Sequence, residues 1–500
     1  MITFAPVDIV LILLYFAVIL WIGFRVKIPQ EGAQEGVSGC EKGGVQPVGR
    51  VDAEGRAQDA GRPEDAGSGA ADFLLAGRTL TLPMFVATLV STWYGGILGT
   101  GEFSYTYGVA SWVMFGAPYY IFALIFAFFL AGRVRATGLV TIPDKLGRHY
   151  GQPAALLGAL LVFLLVTPAP YLLMLGVLAQ LIFGVPLPLA LILTALASLV
   201  YLAKGGFRSN VAVNLAEFVL MFAGFILIVG FAFFRFGGLS FLKPSLPAVN
   251  LTWHGGNSPQ YILVWYFIGL WTLVDPGFHQ RCAAARDSAT ARRGILVSIL
   301  FWMLFDFLTT TTGLYARAVL PGLENPIFAY PLLAEQLLPA AVKGLFFIGL
   351  LATVMSTLSS YAFLGGMTIG NDIAGRILRM RGKEARGAAE RWSRIGLLLA
   401  SIYGIVLAMT LPSVVRIWYT VGSACIPGLL LPLMASYWPG IALRPPFALA
   451  SMLGGWLLAM VWMVWGLAHG GDYWWGIEPM YPGLLLSFAI GMAGIRRVRP

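Results

Sequence analysis

Ala87-Thr88-Leu89-Val90-Ser91-Thr92-Trp93-Tyr94-Gly95-Gly96 lies inside an apolar segment running from Leu82 to Thr100, and it is where that segment stops reading as a uniform helix. An apolar half gives way to small polar residues and then to a glycine pair. At membrane depth, backbone released from helical hydrogen bonds is tolerated only where it is buried in protein or lines a cavity. Five segments later the chain runs Trp271-Thr272-Leu273-Val274-Asp275-Pro276-Gly277, where proline and glycine again end regular helix. Interrupted helices in corresponding positions of two halves point to the central site of a transporter. Glycines that let helices pack closely are the other reading of the same residues.

That the depth in question is a membrane follows from composition. Of 500 residues, 58% are hydrophobic and 11% charged, whereas a soluble domain carries about 25% charged residues. Mean hydropathy is +0.79. Too few charges remain to clothe a water-facing surface, so lipid is the solvent. Apolar stretches of roughly 20 residues, enough for a ~30 Å hydrocarbon layer, recur at about thirteen places. They begin with Pro6 to Gly23 (segment 1) and Leu82 to Thr100 (segment 2), and continue through Gly294 to Val319 (segment 8) and Gly344 to Gly370 (segment 9) to Pro482 to Gly494 (segment 13).

The net charge of +10 raises nucleic acid as a partner, but the placement of the charges argues against it. With the N-terminus outside, the inner loops hold Arg133, Arg135, Lys145, Arg148, Lys204 and Arg208. Further along they hold Arg281, Arg286, Arg292, Arg293, Arg376, Arg379, Arg381, Lys383, Arg386 and the tail Arg496, Arg497 and Arg499. Opposite them stand only Arg235, Lys243, Arg317, Lys343 and Arg416. This is the asymmetry that orients membrane proteins, and it suits contact with anionic membrane lipid. The expected placement is the plasma membrane, multi-pass, N-terminus outside and C-terminus cytoplasmic. No nucleic-acid role and no obligate protein partner is expected.

No basic stretch precedes segment 1, while Arg25 and Lys27 follow it, so residues 1–26 are expected to stay as an extra membrane helix rather than be cleaved. Residues 27–72, rich in Gly, Ala, Glu and Asp, have little apolar surface to offset the entropy of ordering, and are expected to form a disordered cytoplasmic loop. Residues 73–437 form the expected transporter core, and 438–500 two further helices with a basic tail. Cys40, Cys282 and Cys425 show neither a disulfide framework nor metal spacing. No phosphate-cradling or zinc-binding motif occurs, and no nucleophile–base set, so an enzyme is not expected.

Segment 9 carries Leu350-Leu351-Ala352-Thr353-Val354-Met355-Ser356-Thr357-Leu358-Ser359-Ser360. Spacings of three and four put Thr353, Ser356, Thr357 and Ser360 on one helical face. Hydroxyls plus freed carbonyls make a neutral oxygen cage suited to a small monovalent cation. Hydroxyls bonding back to their own helix are the alternative. Asp306, followed by Thr309 to Thr312 in segment 8, is the deepest ionisable residue. Such residues are costly in lipid and by default functional, and binding solute, relaying a proton and pairing with a buried donor all remain open for it. Asp275 is expected to pair near the inner end of segment 7, with Arg281 as a partner.

The motifs together resemble the sodium:solute symporter family, which includes proline, pantothenate and sugar symporters. They are Phe73-Leu74-Leu75-Ala76-Gly77-Arg78, Ala87 to Ser91, Thr141-Ile142-Pro143-Asp144, Gly205-Gly206-Phe207, Gln280-Arg281, Ser356 to Ser359, and Asn371-Asp372-Ile373. The resemblance implies an all-α leucine-transporter-like fold with two inverted five-helix repeats, segments 2 to 6 and 7 to 11. It implies a sodium ion (Na+) held by the carbonyls of Ala87, Val90 and Thr353 and the hydroxyls of Ser356 and Thr357. A small organic solute would sit against Ser91, Thr92, Trp93 and Tyr94, with Trp271 as inner gate; Asp306, from its depth and not from the resemblance, is a candidate for a further contact. One departure stands out: where the family has Asp and then Gln, this chain has Asn214 and Glu217. That departure keeps a proton-coupled or sodium-independent transporter as an alternative, alongside a solute sensor retaining the fold.

Overall fold

The computed structural model describes residues 2–25, 74–202, 206–382, 388–438 and 440–497. The 27–72 loop, Cys40, Phe73, Lys204, Gly205, Lys383, Arg386 and Arg499 lie outside the described residues.

Every apolar segment is a helix. In chain order these are α1 (Pro6–Arg25), α2 (Leu82–Tyr107), α3 (Trp112–Ala136), α4 (Gln152–Phe183), α5 (Leu187–Leu202) and α6 (Gly206–Phe236). The second half continues with α7 (Pro259–Ala284), α8 (Ser288–Val319), α9 (Val342–Met380), α10 (Ala388–Thr410) and α11 (Val414–Tyr437). Last come α12 (Pro445–Ala468) and α13 (Met480–Gly494). Among the described residues, ten helices are long and apolar enough to cross a membrane, and Pro6–Ile22, Leu187–Leu196 and Met480–Gly494 are shorter apolar stretches. Large apolar side chains such as Val219, Leu300, Phe307, Val461 and Leu485 project outward, each at least half exposed. In a water-soluble protein such a girdle would drive aggregation; here it meets lipid.

α6 and α9 pack along each other at the centre, with α1 laid against both. Gly224 and Gly349 make this possible, because a Cβ on either would meet the other's Cα at 3.5 and 3.4 Å. Asp8 of α1 fastens the contact: its Oδ1 accepts from the N–H groups of Ala341 and Gly344 at 2.8 and 2.9 Å, so a residue of α1 caps the start of α9. α12 and α13 pack together and against α11. A short antiparallel pair, Ile441–Leu443 with Ile495–Arg497, closes their ends.

The Thr141-Ile142-Pro143-Asp144 motif turns out to be a helix start. Thr141 caps the short helix Ile142–Tyr150 by accepting from the Asp144 N–H at 3.2 Å, with proline in the first turn. The Thr141 hydroxyl also donates to Asp372 at 2.8 Å, and Asp144 pairs with Arg376 at 2.6 Å. Two motifs over 200 residues apart in sequence thus form one polar joint at the end of α9.

Both helices expected to break do so, at places the sequence left imprecise. α2 stays α-helical through Trp93, tightens to a 3-10 turn over Tyr94–Gly96, and resumes at Ile97. The interruption therefore begins at Tyr94, one residue ahead of the glycine pair. α7 breaks at Asp275, whose ψ of 119° is extended, and Pro276 starts the next helical piece. The glycine pair also serves packing: a Cβ on Gly95 would lie 1.9 Å from Thr357 Oγ1, and one on Gly96 2.0 Å from the Trp418 ring. The glycine pair thus coincides with both a change of helix pitch and a close helix contact.

Candidate functional site

The hydroxyl face of α9 meets α2 where α2 is about to break. Ser356 Oγ lies 2.8 Å from the Thr353 carbonyl and 3.1 Å from that of Ser91. Thr357 Oγ1 lies 2.7 Å from the Thr92 carbonyl and 3.4 Å from those of Ser91 and Thr353. Five uncharged oxygens from two helices converge, all in fully or nearly fully buried residues. Each hydroxyl has one proton and two lone pairs, so a cation entering between the helices can take the lone pairs while the protons stay on backbone carbonyls. Of the residues expected to contribute carbonyls, Ala87 sits about one turn before Ser91 and Val90 immediately before it, and Val90 O accepts the N–H of Tyr94. In this arrangement the α2 carbonyls facing the hydroxyls are those of Ser91 and Thr92.

A polar chain leads away from this junction. Arg281, 0% exposed on the second piece of α7, donates through Nη2 to Thr92 Oγ1 at 2.6 Å, with Thr88 Oγ1 and Ser360 Oγ at 3.3 and 3.4 Å. Its Nη1 donates to Gly277 O at 3.2 Å. The Asn214 amide, oriented by its hydrogen-bond network, accepts from Thr88 and Thr92 at 2.9 and 3.3 Å and donates to Glu217 Oε2 at 3.3 Å. Glu217 accepts in turn from Tyr15 of α1 at 3.2 Å. Arg281, Thr92, Asn214, Glu217 and Tyr15 are thus linked in series from α7 to α1.

The expected Asp275–Arg281 ion pair does not form. Asp275 instead caps the second piece of α7 through the Phe278 N–H at 2.9 Å, and accepts from Trp271 Nε1 at 3.2 Å and the Tyr361 hydroxyl at 2.9 Å. The extended backbone at Asp275 turns its carboxylate toward those N–H and O–H donors, while Arg281, two helical turns on, reaches across to α2 and α9.

Beside the α2 break lies a pocket walled by aromatic rings. Trp93, Tyr94, Gly96 and Thr100 of α2 form one side; α3 supplies Phe115, Gly116, Tyr119 and Tyr120; Trp302 and Asp306 come from α8 and Trp418 from α11. The Asp306 carboxylate accepts from the Tyr120 hydroxyl. Gly116 leaves it room, since a Cβ there would lie 3.0 Å from Asp306 Oδ2. Trp93 meets Tyr119 edge-on at 5.1 Å, and Phe115 stacks on Trp418 at 5.2 Å. Of the six residues expected to touch solute, Trp93, Tyr94 and Asp306 line this pocket. Ser91 and Thr92 face the α9 junction instead, and Trp271 packs beside Gly422 of α11. Sequence reading missed Tyr119, Tyr120, Trp302 and Trp418. Gly116-Ala117-Pro118 ahead of the two tyrosines marks a bend there but does not say which side it faces.

Comparison with known proteins places the whole arrangement. The sodium:solute symporter family model matches residues 73–455. The sodium/pantothenate symporter of Escherichia coli (strain K12) is 25% identical over 311 residues, 59% of this chain and 62% of that protein. The osmoregulated proline transporter of Bacillus subtilis (strain 168) is 25% identical over 309 residues, 59% of this chain and 60% of that protein. The chain therefore spans about three fifths of the length of these curated relatives. Among solved structures, a substrate-bound, outward-open Na+-coupled sialic acid symporter superposes with a TM-score of 0.76 at 13% identity, covering 100% of both chains. Mhp1, a nucleobase-cation-symport-1 family transporter, gives 0.52 at 13% identity over 84% of this chain and 93% of its own. The fold is the leucine-transporter-like one.

Proposed function

Because the chain belongs to the sodium:solute symporter family, we propose that it is a sodium-coupled secondary active symporter that imports a small organic solute by alternating access. The observation that carries this is the junction of α9 hydroxyls with α2 carbonyls beside an aromatic pocket, both at the break in α2. Sodium is held by the Thr353 carbonyl and the Ser356 and Thr357 hydroxyls, with the α2 side supplied by the carbonyls of Ala87 and Val90 or by Ser91 one residue on. Binding of the ion fixes the distance between α2 and α9, and with it the shape of the neighbouring pocket. Solute then binds against Trp93, Tyr94 and Asp306, and Trp271, held to Asp275, moves with the α7 break as the inner gate.

The protein is a multi-pass membrane protein. We place it in the plasma membrane with the N-terminus outside, on the lysine and arginine asymmetry of its loops. One sodium entering down a ~100 mV potential contributes about 2.3 kcal/mol, and a tenfold gradient about 1.4. Together these support roughly 500-fold accumulation of a neutral solute, and more of a cation, which the inside-negative potential also draws inward.

One observation favours a second reading, a sodium-independent transporter. The Arg281 guanidinium reaches the same α2 turn, and Asn214 stands beside it where the family has a carboxylate. Uptake into proteoliposomes with sodium and proton gradients imposed separately decides between them. Accumulation driven by inward sodium alone is the expected result; accumulation indifferent to sodium overturns the coupling.

A further inference from the structure

The pocket beside the α2 break has a chemistry of its own, and Asp306 is its centre. Asp306 lies within α8, 5% exposed, and none of the salt bridges among the described residues involves it. Its partners are neutral phenols: Tyr120, itself held by Trp112 Nε1 at 3.2 Å, and Tyr94 beside it. An ionised carboxylate inside a membrane protein with no cation beside it costs several kcal/mol. A mobile cation that arrives with the solute removes that cost.

The walls point the same way. Trp93, Phe115, Tyr119, Trp302 and Trp418 present rings to one small space, and aromatic faces attract cations through their quadrupole. Protein cations do lie over other rings, such as Arg133 over Trp438 and Lys145 over Tyr437, but among the described residues none lies over these five. Hydroxyl-rich solutes are poorly matched, because three of the pocket's hydroxyls are already engaged. Tyr94 donates to the Trp302 carbonyl at 2.9 Å, Tyr120 donates to Asp306, and Thr100 bonds back to Gly96 O at 3.4 Å. A carboxylate-only solute would meet Asp306 as a like charge.

We propose that this pocket selects a solute with a cationic ammonium group, Asp306 being its counter-ion and the surrounding rings its cage. The inference rests on the reading of this pocket as the solute site. Trp302 Nε1 is buried with no partner, so the same solute can carry an acceptor such as a hydroxyl.

The test uses the full chain in detergent with four probes: choline and ethanolamine, and their neutral isosteres 3,3-dimethylbutan-1-ol and 1-propanol. Binding is read from tryptophan fluorescence in sodium and again in potassium. At least one ammonium probe should bind tenfold or more tighter than its isostere, and Asp306→Asn should remove that preference while Asp306→Glu keeps part of it. Equal binding of cation and isostere by the unmodified protein overturns the proposal without recourse to any variant. Should sodium still raise the melting temperature in that case, the ammonium class fails while sodium coupling stands. An ammonium preference that is the same in potassium as in sodium upholds the class and counts against coupling. An ammonium preference retained in full by Asp306→Asn overturns the role of Asp306.

Discussion

The Thr357 hydroxyl sits 2.7 Å from the Thr92 carbonyl, so the centre of α9 is bonded to the last α-helical turn of α2 just before that helix changes pitch at Tyr94. A helix end that must also bend is an unusual place for a tertiary hydrogen bond to backbone. Its consequence is that whatever occupies the Ser356–Thr357 oxygens sets where the break in α2 lies, and the break forms one wall of the aromatic pocket.

Removing both hydroxyls tests that coupling. Ser356→Ala with Thr357→Ala should weaken sodium binding tenfold or more and abolish sodium-driven uptake, read as the loss of sodium-dependent thermal stabilisation and of proteoliposome accumulation. Sodium-stimulated uptake that survives the double change would sink this assignment of the ion site.

Close approach at Gly95 should be equally exacting. A Cβ at 95 would lie 1.9 Å from Thr357 Oγ1, and overpacking of this kind costs about 1–3 kcal/mol. Gly95→Ala should lower thermal stability, and Thr357→Gly in the same chain should recover much of it. Equal stability of Gly95→Ala and the unmodified protein would show that α2 and α9 separate more readily than their contact implies.

Asn214→Asp places a carboxylate next to Thr88 and Thr92, the hydroxyls that Arg281 also engages. Pairing with the introduced carboxylate should neutralise the guanidinium, relieving its repulsion of an ion held one residue layer away; at an effective dielectric near 20 such a term is on the order of 1 kcal/mol or more. Half-saturation by sodium should fall several-fold, measured by titrating uptake. A rise, or no change, argues that Arg281 does not oppose the ion.

Asp8 makes α1 part of the mechanism's frame rather than an appendage. Its carboxylate accepts from Ala341, Gly344 and Ala5 N–H groups at 2.8 to 2.9 Å. Loss of a helix cap costs about 0.5–2 kcal/mol, so Asp8→Ala should lower the melting temperature, whereas Asp8→Asn should keep part of the effect. Indifference of the melting temperature to Asp8→Ala would show α1 to be loosely held.

How far the sequence reached is clearest residue by residue. The thirteen helices were legible because lipid demands long apolar stretches, but several run past the apolar stretch: α2 continues to Tyr107 and α9 to Met380, seven and ten residues beyond it. The α9 hydroxyls were found from three- and four-residue spacing, because one helix alone fixes which side chains share a face. Their α2 partners in this arrangement lie one and two residues beyond Val90, at Ser91 and Thr92, since the register between two helices depends on glycine contacts that no single segment records. Trp271 and Arg281 show the same limit. Asp275 was matched with Arg281 by nearness in sequence, yet the extended backbone at Asp275 sends the two side chains to different neighbours.

The sequence by itself determined a polytopic helical membrane protein, the two broken helices and the hydroxyl face, because each follows from local composition and periodicity. Only the tertiary structure decided that Arg281 reaches Thr92 and that Tyr119, Tyr120, Trp302 and Trp418 surround Asp306. Those contacts join helices far apart in the chain, and they are set by how closely glycines such as Gly95, Gly96 and Gly116 allow the helices to approach.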